Sequence, residues 1–351
     1  MLFRYIAFHY TKNFLIILLA LTGLFAGLDF LMNATSLQSF NLKVLYVFNK
    51  WQESLSLLYP LAIIFGAIWT KIIFIKLNSM GALYSLGVTR KEVSVPFLSV
   101  AFFIYIFFVG LNFTSFATAK DTAKALKKHE YNTRTSEHLF FKYNESFVYI
   151  GKLLPFKKKL EKLTVFTFKD KKIDRVQSAD SATYNGKEWL ALNVTQKTKR
   201  LNDKGEPYLT IEHMEKLNTL VGYNPKILNS IYEERQLTLY ESLIAKKLLN
   251  SQGIGTFKVR SDIYGKIIMP LFSIALLMIL LFTFPFHARY MNVGAETIKA
   301  LGGTLFVWGI LFALHQMGST GGILPEVGTI LPIVILWLYA LYVWGRAGSK
   351  M

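Results

Sequence analysis

Three long apolar runs, a charged middle from about Lys120 to Phe257 with no such run, then three more apolar runs: this order constrains the fold most. A helix that crosses a bilayer needs about 20 mostly apolar residues. Six stretches meet that need, roughly 12–33, 54–75, 95–117, 264–286, 297–316 and 328–346. A single soluble globule is a poor fit to a chain that is 52% hydrophobic and still carries a formal net charge of +18. Segregating the two properties, apolar ends around a polar middle, removes the conflict. The first run is too long for the apolar stretch of a signal peptide, and no small-residue cleavage pattern follows it, so it reads as a retained helix. The predicted fold is an α-helical membrane protein of six transmembrane helices (three plus three) with an inserted all-β, jellyroll-like domain. Its expected parts are 1–118, 119–257 and 258–351.

Basic residues in short loops set the orientation of such a chain. With the N-terminus inside, one side holds Arg4, Lys12, Lys76, Arg90, Lys91, Arg289, Lys299, Arg346 and Lys350. The short loops of the other side hold mainly Lys43 and Lys50, with Glu53 and Glu326. Both termini are therefore predicted in the cytosol. The inserted domain lies outside, which in a bacterium is the periplasm. There is no cysteine, so the domain must hold together by its core, and thiol chemistry is excluded.

Within the insert, "LFFKYNESFVYI" (139–150) reads as two strands around a turn. Asn185-Gly186 reads as a hairpin, because both residues tolerate positive φ. Regular short strands point to a β-sandwich or jelly roll. Its apolar interior, with aromatics such as Phe166, is either a plain core or a channel for acyl chains. "LTLYESLIAKKLLNSQG" closes the insert as an amphipathic helix carrying Leu239, Leu243, Leu248 and Leu249, ending at Gly253.

Catalytic signatures are missing. No phosphate-binding Gly-x-x-x-x-Gly-Lys-Ser/Thr loop, His-Glu-x-x-His pair or Gly-x-Ser-x-Gly elbow occurs. The six histidines, at 9, 129, 138, 213, 287 and 315, are scattered. No catalytic residue, metal site or cofactor is expected in the chain itself, and no nucleic-acid partner. Three polar residues within spans draw notice: Asp29, Lys71 and His315. Such residues either snorkel to the interface or serve function, and His315 reads as a helix–helix contact. Lys43, Lys50, Lys120, Lys258, Arg260 and Lys266 are candidates for a basic rim facing a phosphorylated lipid headgroup, or are simply solvated.

Between the second and third runs lies "NSMGALYSLGVTRKEV" (78–93). Met80, Leu83 and Tyr84 share one helix face, Gly87 is placed to stop that helix, and Thr89-x-x-Glu92 is a capping-box pattern that restarts the chain. This short helix either lies on the membrane or plugs its apolar face into a cytosolic partner.

Through "RYI" (4–6), "YPLAIIFG" (59–66), "LGVTRKEV" (86–93), "FVYI" (147–150), "GKIIMPL" (265–271) and "GGILPEVGTILP" (321–332), nearly end to end, runs a resemblance to the LptF/LptG permeases of the bacterial lipopolysaccharide exporter, LptG more than LptF. It implies a heterodimer with an LptF-like subunit in the inner membrane of a Gram-negative cell. A dimeric LptB-like cytosolic ATPase would hold ATP and magnesium, and LptC-like and LptA-like proteins would pass lipopolysaccharide or lipooligosaccharide toward the outer membrane. Residues near 78–86 would then be the helix that couples to the ATPase, with Ser79, Met80, Leu83, Tyr84, Leu86, Gly87 and Arg90 as its contact set. Two positions depart from the family's pattern: Ser79 stands where a glutamate is common, and Asp29 where LptG-like chains often carry a lysine. The competing reading is a membrane-anchored periplasmic scaffold that moves no lipid.

Overall fold

The computed structural model describes residues 1–37, 39–127, 135–155, 157–169, 172–201, 207–233, 236–253, 255–285 and 292–346; His129, His287, Arg289 and Lys350 lie outside them. Helices α1 (Leu2–Asn33), α2 (Phe40–Lys76), α3 (Ser79–Ser85), α4 (Arg90–Leu111) and α5 (Ala119–Lys127) precede a β-sheet. Helices α6 (Pro225–Glu233) and α7 (Leu239–Ser251) follow it. Then come α8 (Phe257–Ile267), α9 (Leu271–Thr283), α10 (Val293–Ser319), a π-helical turn (Glu326–Ile330) and α11 (Leu331–Arg346). The chain divides into two compact units: Met1–Ala123 with Phe257–Met351, and Lys124–Thr256.

Among the described residues, the first unit holds six helical segments long and apolar enough to cross a membrane: Leu2–Ser36, Phe40–Lys76, Arg90–Leu111, Phe257–Thr283, Val293–Ser319 and Glu326–Arg346. All six expected spans are present, but α2 begins at Phe40, well before position 54. Asn49, Lys50, Gln52 and Glu53 lower the local hydropathy without opposing helix. The amide of Asn49 donates to Leu45 O at 2.8 Å, and Lys50 pairs with Glu53 at 3.0 Å, so the helix carries these polar groups without a break. The fourth span is two helices, α8 and α9, because Pro270 offers no N–H to continue the ladder.

Helices α1 and α2 approach at Gly66, where an added Cβ would lie 2.8 Å from Phe14 Cα. Small residues permit such contact, and polar side chains then bridge the helices in place of a hydrophobic drive. Asn13 Nδ2 donates to Thr70 Oγ1 at 2.9 Å, and Tyr10 OH donates to Ile63 O at 2.9 Å. Around them Phe14, Ile63, Phe74, Phe97, Phe272 and Leu277 belong to one buried apolar cluster.

In the second unit, β1 (Ser136–Tyr143), β2 (Ser146–Leu154), β3 (Lys159–Lys169), β4 (Lys172–Tyr184), β5 (Trp189–Leu201) and β6 (Pro207–Thr219) form one antiparallel sheet in chain order. The all-β insert is there, and its connectivity is that of a meander. Alternation buries one face: Leu139, Val148, Ile150, Leu163, Val165 and Trp189 share a core with Leu220 and Tyr223. Phe166 follows Val165 and so points to the opposite face, not to the interior where it was expected. The β4–β5 hairpin turns over residues 185–188, and only Gly186 takes positive φ, at +103°. Asn185 acts through its side chain, whose Oδ1 accepts from Lys187 N and Glu188 N at 3.0 and 2.9 Å. Helix α7 buries Leu239 and Leu249 but exposes Leu243. α6 is tied to β1 by the Ser136–Asn229 hydrogen bond.

Candidate functional site

The turn after α2 is built from three local devices. Asn78 leaves α2 in the left-handed conformation, and α3 runs only from Ser79 to Ser85. Gly87 has φ +83°, where a side chain would cost about 1–2 kcal/mol. Thr89 Oγ1 then accepts from Glu92 N at 3.2 Å, while Glu92 Oε2 accepts from Thr89 N at 2.7 Å, closing the expected capping box.

The apolar face of α3 turns inward. Met80 is 1% exposed, and Leu83 and Tyr84 pack on the same transmembrane core. Their shared face is therefore spent on the unit's own interior and is not the surface that α3 offers outward. Burial pushes the Tyr84 hydroxyl pKa up, with the Arg90 guanidinium opposing. Exposed instead are Leu77, Ala82, Ser85, Leu86 and Gly87, with Leu86 at 80%. Ser79 and Arg90 flank them, half-buried.

Three of the six cations expected to form a rim, Lys50, Arg260 and Lys266, are held in ion pairs within the unit. Lys50 Nζ lies 3.1 Å from Asp29 Oδ2, and Tyr46 OH donates to Asp29 Oδ1 at 2.5 Å. Asp29 on α1 is thus answered from α2. Trp51 Nε1 adds a bond to Thr22 Oγ1 at 3.0 Å. Beside this network, Phe30, Phe40, Lys43, Val44, Val47, Phe48 and Trp51 line an apolar groove of about 380 Å³. Lys120, near the start of α5, is exposed.

A second polar cluster joins α8, α10 and the π-helical turn. Arg260 Nη1 lies 2.6 Å from Glu326 Oε1, which also accepts from Tyr264 OH at 2.9 Å. Lys266 pairs with Asp262 at 2.6 Å. His315 Nδ1 lies 2.9 Å from Thr329 Oγ1, and its ring rests where a Cβ on Gly265 would be, 2.9 Å away. His315 is the helix–helix contact that the sequence suggested. The partners Asp262, Tyr264 and Thr329 were missed, although Arg260/Tyr264 and Asp262/Lys266 are interleaved i, i+4 pairs. Arg260 stacks on the Phe257 ring at 5.3 Å, while Lys258, on the same helix, is exposed.

Lys71 does not snorkel. It is 4% exposed, and its Nζ donates to Leu281 O at 2.7 Å and Phe284 O at 2.8 Å. These carbonyls belong to the end of α9, where the last turn has no helical partners and carries the negative end of the dipole. Among the described residues, no group of three or more His, Asp or Glu side chains is placed to hold a metal ion.

A comparison with individually curated proteins finds no match. The order of elements (three spans, an inserted antiparallel sheet, three spans) has its counterpart in a sequence family described as "Lipopolysaccharide export system permease LptF/LptG", which matches residues 4–346. That match covers nearly the whole chain, and the protein belongs to the LptF/LptG family of lipopolysaccharide export permeases, multi-pass membrane subunits of a transporter.

Proposed function

We propose that the chain is the LptG-like subunit of a permease pair that draws lipopolysaccharide or lipooligosaccharide from the inner membrane toward a periplasmic protein bridge. In this reading an LptF-like chain completes the pathway, and an LptB-like ATPase dimer on the cytosolic side binds ATP and magnesium. LptC-like and LptA-like proteins receive the lipid. The termini and α3 lie in the cytosol and the sheet in the periplasm, as the basic residues of the short loops ask.

The observation that carries this reading is α3. Met80 anchors it in the core, with Leu83 and Tyr84 beside it, while Ala82, Ser85 and Leu86 remain outward for a partner. A protein that presses on that outer face presses on the core. Ser79 replaces the family's glutamate, so the grip rests on apolar contact at Leu86 and shape more than on charge. Lys43, at the edge of the apolar groove, is the cation best placed to meet a phosphorylated headgroup while the groove takes an acyl chain.

The test is the double substitution Ala82→Glu with Leu86→Glu, on the outward face alone. Loss of the ATPase from the purified complex is expected, with the chain still inserted at its normal level. Continued co-purification together with undiminished lipid export would overturn the coupling role.

A further inference from the structure

The geometry points to Lys71 as a positioning residue that transmits displacement of α3 to the end of α9, and so from the first triplet of helices to the second. This rests on the coupling role proposed for α3. Three observations carry it. First, Lys71 is 4% exposed, and its ammonium is held by two carbonyls, Leu281 O at 2.7 Å and Phe284 O at 2.8 Å, with the Phe284 ring centre 5.4 Å away. Among the described residues no carboxylate pairs with it. The buried charge is therefore answered by the open end of α9, and separating the two would strand an ammonium without acceptors.

Second, Lys71 is rigidly joined to α3. It lies five residues before the end of α2 at Lys76, roughly 7.5 Å along one unbroken helix. The link to α3 is only Leu77 and Asn78, and both are bonded back: Leu77 N to Ile73 O at 3.0 Å, Asn78 N to Ile75 O at 3.0 Å. Met80 then locks α3 into the core. Third, the end of α9 bears on α11 through Phe282 and Trp344, whose rings meet edge-on at 5.2 Å. A push at α3 therefore meets a series of packed and bonded groups that crosses to the second triplet at Lys71, beside the crossings that α4 makes through Tyr105 OH on Ile267 O at 3.0 Å and Lys91 over the Trp344 ring at 5.8 Å. Coupling of this kind needs an element that both sites bias, and Lys71 supplies the crossing that lies on α2 itself, directly before α3.

The sequence has no cysteine, so spin labels can be placed at will. Lys76→Cys, at the end of α2 beside the link to α3, and Thr283→Cys on α9 are both exposed positions outside the face proposed for the partner. In the full complex, built without other cysteines, the label pair is expected to keep one distance with and without vanadate-trapped nucleotide. In Lys71→Met the distribution should broaden and become nucleotide-dependent, and Lys71→Arg should restore it at least in part. Lipopolysaccharide moved per ATP hydrolysed should fall about tenfold in Lys71→Met, with ATP hydrolysis changing by no more than about twofold. A merely structural lysine would lower both activities together and leave their ratio alone. The inference is overturned if Lys71→Met keeps the native label distance in both nucleotide states, if the ratio is unchanged, or if the native pair already slips. Should Lys71→Met fail to accumulate, Lys71→Gln, which can still donate to a carbonyl, takes its place under the same criteria. If the native complex moved no lipopolysaccharide, the transport reading would fail, while the label distances would still judge Lys71.

Discussion

Arg260 Nη1 and Glu326 Oε1 stand 2.6 Å apart, fastening the start of α8 to the π-helical turn that precedes α11. Both groups are partly solvated, so the pair is worth less than a buried one. Glu326→Gln is expected to cost about 1–2 kcal/mol, shared between the weakened ion pair and the Tyr264 bond. A double-mutant cycle of Arg260→Ala and Glu326→Ala, read by thermal unfolding in detergent, should give a clear coupling energy. Additivity would mean that the two charges act independently.

Asp29 and Lys50 answer each other across α1 and α2. Asp29→Ala should lower stability more than Asp29→Ala combined with Lys50→Ala, because the single change leaves a half-buried ammonium with one carboxylate fewer. Exchanging the two, Asp29→Lys with Lys50→Asp, should recover part of the loss. Amounts of folded protein in extracted membranes measure this directly.

Two glycines make opposite tests. Gly265→Ala meets the His315 ring and should cost about 1–3 kcal/mol, most of it returned by adding His315→Ala. Gly66→Ala meets the backbone of Phe14, so no side-chain truncation on α1 should rescue it. Rescue of Gly66→Ala by Phe14→Ala would contradict the close approach of the two helices.

Glu241 gives the second unit a pH signature. Burial alone would push its carboxyl up, but the Lys226 ammonium and the Thr238 hydrogen bonds outweigh that and hold it below the usual glutamate value. A carboxyl depressed in the folded state stabilises it above the unfolded pKa, and that gain is lost as pH falls through the folded value. The full chain should therefore lose stability on acidification from just above the usual glutamate range to below it. Glu241→Gln should be less stable at neutral pH and show a smaller acid-side decline. Melting profiles of the two proteins that fall in parallel with pH would exclude this contribution.

What could be read from sequence was whatever one helix or one turn decides alone. Six apolar lengths gave six spans, and Gly87 with Thr89 and Glu92 gave the stop and restart after α3. The rest depends on what a face meets. Spacing put Met80, Leu83 and Tyr84 on one side of α3 without saying whether that side looks toward a partner or back onto α2. Hydropathy put Lys50 in the loop before a span starting at 54, because the carboxylate that answers it, Asp29, is contributed by another helix. Lys71 is the extreme case, since its acceptors lie 210 and 213 positions away. Alternation likewise gave strands and a buried face, but the order of strands in the sheet is set by how hairpins stack.

That order has a consequence for biosynthesis. In a meander each strand pairs only with its neighbours in sequence, so the sheet can close hairpin by hairpin as the chain emerges, with little loop-closure entropy to overcome. The first triplet of helices has no such independence. At the roughly 5–20 residues per second of translation, Lys71 precedes its acceptor at Leu281 by about 10–40 s. Through that interval an ammonium destined for burial has none of its final acceptors, and the early helices stay open on the side that α9 will fill. A sheet that can fold from its own hairpins leaves the second triplet as the step that seals the membrane unit.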